Sequence, residues 1–199
     1  MEHRQPPHGG DGPILITGVT GFLGSRLVAH YVEHTSRPII CVVRGDDQRW
    51  AEQRGRGAVV AALGRALDPA ENDRVRWLRG DIQEPRLGQS GSTWLGLIQQ
   101  VDEIVHCAAS VRFDLPLDEA TAINVVGTEH VFELARLGRE LGRFRRFHHV
   151  STAYAAGVSN AVVDAHHLPN DRVGNFRNTY ERTKAHAERR LRTQSAVPV

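Results

Sequence analysis

The chain has 199 residues, 40% of them hydrophobic and 24% charged, with a formal net charge of +2 when histidine is neutral. That length suits one domain with a real core, and the composition is ordinary for a soluble globular protein. The near balance of charge, with arginines scattered along the chain, gives no electrostatic case for nucleic acid, and no apolar run approaches the ~20 residues of a membrane span.

The first residues, Met1 to Gly12, are polar and lack the apolar stretch of a secretory signal. The expectation is a frayed tail over 1–12 and a cytoplasmic protein. From Pro13 onward, short apolar runs alternate with helical periodicity. The pattern predicts strands at 13–17, 38–43, 75–78, 103–106 and 144–150. Between them it predicts helices at 24–33, 46–67, 94–100 and 117–141, the second of them stopped at Asp68-Pro69. Residues 84–93 and 158–175 read as loops, and 176–193 as a last helix. Alternation at this spacing implies parallel strands joined by right-handed crossovers, the α/β doubly wound parallel sheet in the order 3-2-1-4-5. Ligands of such a sheet lie at the carboxyl ends of its strands.

Cys41 and Cys107 fall on strands two places apart in that order. Two strand spacings of ~4.8 Å put them beyond bridging range, so they are expected to be free thiols. The histidine pairs His148-His149 and His166-His167 lack the surroundings of a metal site, and no metal is expected.

The first strand runs into Thr17-Gly18-Val19-Thr20-Gly21-Phe22-Leu23-Gly24. Glycines spaced in threes between a strand and a helix let the chain turn tightly. They also let bare backbone approach a pyrophosphate at the helix N-terminus. This is the setting of a dinucleotide site. At the end of the second strand, NAD sites carry a carboxylate for the ribose 2′-hydroxyl. Here Arg44 stands instead, a cation suited to the 2′-phosphate of NADP. Asp46 and Asp47 follow closely and keep NAD as the alternative. At the end of the third strand, Asp81 and Ile82 could hold an adenine, or Asp81 could cap a turn. The fourth strand ends in small residues, Ala108, Ala109 and Ser110, that leave room for a nicotinamide ribose. The fifth ends in Ser151 and Thr152, whose hydroxyls could reach a substrate carbonyl or cap the backbone. Asn124 could join a proton relay or tie helix to strand.

Of the 25 Lys and Arg residues, Lys184 is the only lysine. It follows Tyr180 by four positions, so the two side chains share a helix face. A compact ammonium beside a phenol stabilises the phenolate, which makes Tyr180 a usable general acid near neutral pH. Tyr154 is a rival phenol, with no lysine beside it.

The sequence resembles the extended short-chain dehydrogenase/reductases. The resemblance rests on residues 17–24, Gly80-Asp81-Ile82, His106-Cys107-Ala108-Ala109, Asn124-Val125-Val126-Gly127-Thr128 and Tyr180-x-x-x-Lys184. Within that superfamily it is most similar to the thioester reductase and fatty acyl-CoA reductase branch, through residues 41–44, 149–154 and 176–188. The resemblance implies a Rossmann fold and an NADP-dependent enzyme (NAD the alternative). Its catalytic residues would be Thr152, Tyr180 and Lys184, with Tyr180 and Lys184 also touching the cofactor. The implied substrate is an acyl thioester on CoA or a carrier protein. Sugar-nucleotide epimerases, dehydratases and ketone reductases share most of these residues and are the alternative, and a cofactor-sensing regulator is a third. Oligomerisation is left open. Members of this family continue beyond a sixth strand into a substrate-binding lobe. Residues 13–199 are therefore expected to be the cofactor-binding domain cut before that strand. On that expectation the edge strand would expose Phe147 and Val150, and the last helix would show apolar surface.

Overall fold

The computed structural model describes residues 12–141, 144–158, 175–194 and 197–199. Apart from Gly12, the expected tail lies outside the described residues, as do positions 159–174 of the expected loop, with His166 and His167.

Five parallel strands form one sheet in the order β3-β2-β1-β4-β5, the order expected of a doubly wound sheet. They are β1 Ile14–Thr17, β2 Ile39–Val43, β3 Val75–Arg79, β4 Glu103–His106 and β5 Arg146–His149. The inner strands β1 and β2 are buried at every position, because helices cover both faces of the sheet. Successive side chains point to opposite faces. Leu15, Ile40, Val42 and Ile104 join one core layer, whereas Ile14, Ile16, Ile39, Cys41, Val43 and Val105 join the other. The second layer is closed by α1 (Phe22–His34) and α2 (Gln48–Leu63). The first is closed by α4 (Gly91–Gln100), α6 (Gly127–Glu140) and Leu191 of α7 (Thr179–Arg192). Cys41 and Cys107 are free, as the strand order requires.

Several boundaries differ from the sequence reading, each for a local reason. Asp68-Pro69 does not merely end a helix. Gly64, at φ +72°, ends α2, and Asp68 starts a short helix of its own, α3 (Pro69–Arg74). The Asp68 carboxylate accepts from the Glu71 N–H at 2.8 Å, the Glu71 carboxylate accepts from the Asp68 N–H at 2.9 Å, and Pro69 occupies the first turn. Arg65 then clamps Glu71 with two bonds of 2.7 Å. The Ser90 side chain caps α4, which begins three residues before its expected start. The expected single helix over 117–141 is α5 (Leu117–Thr121), a π-turn at Ala122–Val126, and α6.

The expected apolar edge is not found. Phe147 is fully buried, edge-on to Phe132 at 5.2 Å, and its N–H donates to Pro198 O at 2.9 Å. Val197 is buried in the same core layer. On α7, Ala187 and Leu191 are buried, and no large hydrophobic side chain of that helix is exposed. Val150 is half-buried.

Candidate functional site

The carboxyl ends of β1, β2 and β4 enclose a cleft of about 260 Å³. Its floor is the glycine turn. Gly18 adopts φ +72°, and a Cβ there would lie 2.6 Å from the Ala108 N atom, so only glycine lets β1 pass this close to the strand beside it. A Cβ on Gly24 would lie 2.2 Å from Gly18 O, which fixes how tightly α1 folds back on the turn. The N-cap of α1 is Gly21, which offers no side-chain cap. The first N–H groups of the helix are thus left for another acceptor. Thr17, Gly18, Thr20 and Gly21 line the cleft. Phe22 does not; it is 85% exposed at the start of α1. Leu23 and Gly24 also stand outside the lining.

Arg44 lines one end of this cleft and opens into a second cavity of about 630 Å³. Arg54 and Arg79 line that second cavity too, so three guanidinium groups gather there. Each newcomer is held by backbone: Arg54 Nη1 donates to Arg44 O at 3.0 Å, and Arg79 Nε donates to Gly45 O at 2.9 Å. Arg54 also lies over the Trp50 ring at 5.2 Å. Asp47 is spent as the cap of α2, accepting from the Trp50 N–H at 2.7 Å, whereas Asp46 faces the second cavity. Sequence reasoning missed Arg54 and Arg79. Trp50 and Arg54, four apart on α2, were the available signal for the first; Arg79 needed the sheet order to bring it to Arg44. Asp81 and Ile82 line the cleft. Asp81 also makes the turn that was its other reading, its carboxylate accepting from the Gln83 N–H at 2.9 Å.

Ala108 and Ala109 line the opposite wall, with Cys107. Below them His106 is 1% exposed, its Nδ1 2.7 Å from Thr17 Oγ1 and its Nε2 3.0 Å from Thr128 Oγ1. Burial first, and then the nearby His149 and Lys184, hold its pKa well below the usual imidazole value. Asn124 sits in the π-turn and is buried rather than in the cleft. Its side chain accepts from the Ser110 N–H at 2.8 Å and donates to Ser110 O and to Thr183 Oγ1, both at 3.0 Å. Asn124 is thus a clamp joining the loop after β4 to α7.

On α7, Lys184 is 3% exposed. Its ammonium donates to Val150 O at 2.7 Å and lies 3.4 Å from His149 Nε2. Burial lowers its pKa to about 8, against the opposing pull of Glu188 and Cys107. Cys107 thus lies near both the cleft and the lysine; its own thiol is pushed up to about 11 by burial. Tyr180, one turn earlier, is half-buried, its ring 5.6 Å from Phe113. Ser151 gives its proton to Glu188 at 2.7 Å. Thr152 caps the short 3₁₀ turn Ala153–Ala156, where its Oγ1 accepts from the Tyr154 N–H at 3.3 Å. Its own hydroxyl proton is not used by that bond. None of Ser110, Asn124, Ser151, Thr152, Tyr180 and Lys184 lines the 260 Å³ cleft. Lys184, Ser151 and Thr152 are instead gathered at the end of β5, next to it. Among the described residues, no group of three or more His, Cys, Asp and Glu side chains could hold a metal ion. No described helix is long and apolar enough to cross a membrane.

This geometry has known counterparts. The structure superposes on the terminal R domain from the myxalamid PKS-NRPS biosynthetic pathway with a TM-score of 0.82 and 30% identity, over 96% of this chain and 47% of that one. Glycine betaine reductase of Emericella nidulans is 38% identical over 131 residues, 63% of this chain and 10% of that protein. Fatty acyl-CoA reductase 1 of Mus musculus is 30% identical over 147 residues, 71% of this chain and 28% of that protein. The chain thus spans less than half the length of each. Residues 16–199 match the NAD-binding family described as Male sterility protein, and the chain belongs to that family.

Proposed function

We propose that residues 13–199 form the cofactor-binding domain of an NADPH-dependent reductase that converts an acyl thioester, on CoA or a carrier protein, to an aldehyde. The observation that carries this reading is one continuous carboxyl edge. A glycine turn and three gathered arginines lie at one end of it, and a buried lysine with an unspent threonine hydroxyl at the other. The reductases among the relatives support the substrate class. A cytoplasmic setting belongs to the same proposal.

The residues fit the cofactor. Gly18 and Gly24 are places where any Cβ would collide with backbone, the price of a turn kept bare for a pyrophosphate. Thr17, Thr20, Gly21, Phe22 and Leu23 complete that turn. Arg44, aided by Arg54 and Arg79, would bind the 2′-phosphate, and Asp81 with Ile82 the adenine. Ala108, Ala109 and Ser110 would flank the nicotinamide ribose, with Asn124 and Ser151 supporting that wall from behind. NADPH would supply the hydride. The chain's own part is to receive the charge that develops on the thioester oxygen. Thr152 and Tyr180 would donate to that oxygen, and Lys184 would lower the cost of the phenolate left on Tyr180. Collapse then expels the thiol and leaves the aldehyde.

Titration of the chain with NADPH and NADH tests the reading. Charge-assisted contacts of about 1.5–3 kcal/mol correspond to roughly 10- to 150-fold tighter NADPH binding, lost in Arg44→Asp. Equal affinity for the two cofactors would show that the arginine cluster serves something else.

A further inference from the structure

His149 has no role in the reading above, yet it is the side chain that meets the Lys184 ammonium. Strand β5 ends on it, its ring stacks on His106 at 5.6 Å, and its Nε2 lies 3.4 Å from Lys184 Nζ. An ammonium has three N–H donors and accepts nothing. One is given to Val150 O. A second can go to His149 only if Nε2 is bare, which puts the ring proton on Nδ1. Nδ1 is buried with no partner. A buried donor left unmet is a cost, so something must favour this tautomer over its alternative. The alternative would aim Nε2–H at a cation.

We propose that His149 is a positioning residue for Lys184, its neutral ring accepting one ammonium N–H so that, with Val150 O, two donors are fixed at the strand end and the third is left for the site. Other charged or titratable groups act on the lysine from the elements around it: Glu188 on α7, and His106 and Cys107 at the end of β4, while Tyr180 lies one turn earlier on the same helix. Glu188 is engaged by Ser151, and Cys107 is a thiol well above neutral pH in its pKa. His149 is the neutral acceptor in contact with Nζ besides the Val150 carbonyl. The proposal deepens the role given to Lys184, but its test needs no cofactor, so the two can fail separately.

Because the chain holds a single lysine, isotope-labelled lysine gives one side-chain NMR signal, and its pH titration reads Lys184 directly. The wild-type midpoint is expected near 8. His149→Leu removes an acceptor from the charged form and should lower the midpoint by roughly one pH unit. His149→Gln, whose amide oxygen can accept, should restore it. A Leu midpoint at or above wild type, or a Gln midpoint as low as Leu, overturns the proposal. Should the Leu variant fail to fold, nitrogen shifts of labelled histidine in the wild type decide alone. Below the Lys184 midpoint and above pH 7, His149 must show a bare Nε2 and a protonated Nδ1; the reverse tautomer overturns it.

Discussion

His106 and His149 stay neutral inside the protein at pH values where an exposed imidazole takes a proton. Burial is the first cause for both, and for His149 the Lys184 ammonium adds to it, bringing its pKa to about 3. Below pH 6.5 the unfolded rings therefore bind protons that the native rings do not, so stability must fall as pH falls through that range. At pH 5 the loss is about 2 kcal/mol for the His149 ring, at about 1.4 kcal/mol per pH unit, and His106 adds a loss of the same sign. Urea unfolding at pH 7.5 and pH 5 should show it, and His149→Gln should remove the share that belongs to that ring. The proposed chemistry has its own residue-scale test. In a turnover assay of the complete enzyme that carries this domain, with an acyl thioester, Tyr180→Phe should cost about 100-fold or more while NADPH affinity stays nearly intact. Lys184→Arg should also be poor, because a planar fork cannot replace a compact charge held at 2.7 Å from Val150 O.

The elements owe their boundaries to single side chains, and that decides which of them a sequence reveals. Asp68→Ala should cost about 1 kcal/mol in chemical denaturation, since it deletes the capping box of α3. Gly24→Ala should be worse, at about 1–3 kcal/mol, and should abolish cofactor binding, because its Cβ would lie 2.2 Å from Gly18 O. Both features are local in sequence. The glycine turn was legible because its spacing carries its geometry. The capping box could have been, since Pro69 suits a first helical turn as well as it ends a helix. The π-turn at Ala122–Val126 had no signature in residue type. Asn124 was seen as a candidate, but its place in the clamp depends on Ser110 and Thr183, which only the folded chain brings to it.

At the scale of the whole molecule, strand order is what assembles the site. Arg44 follows β2 and Arg79 ends β3, so they meet because those strands are neighbours. Alternating strands and helices made that order readable, whereas the meeting of Arg54 with them depends on how α2 lies against the sheet. The reading of β5 as an open edge rested on a sixth strand being cut away, whereas residues 197–199 already return to that edge, where Pro198 O accepts the Phe147 N–H. Deleting these three residues uncovers Phe147 N–H and removes the buried Val197 side chain. The expected loss is about 2 kcal/mol, measurable as a lower denaturant midpoint.

The contacts around His106 have a direction. Thr128 has one hydroxyl proton and gives it to Asn124 O at 2.7 Å, so towards His106 it can only accept. The ring proton is then on Nε2, Nδ1 is bare, and Thr17 donates to it while receiving the Ala108 N–H at 3.2 Å. From the loop after β4, through β1 and β4, to the π-turn, every donor points the same way. Such a chain cannot reverse one link at a time. The Ala108 amide and the Asn124 carbonyl are fixed by the backbone at its two ends, so each proton between them has a single allowed place. The floor beneath the cleft therefore has one fixed polarity, and the Thr17 and Thr128 hydroxyl protons should exchange with water slowly enough to be seen individually by NMR.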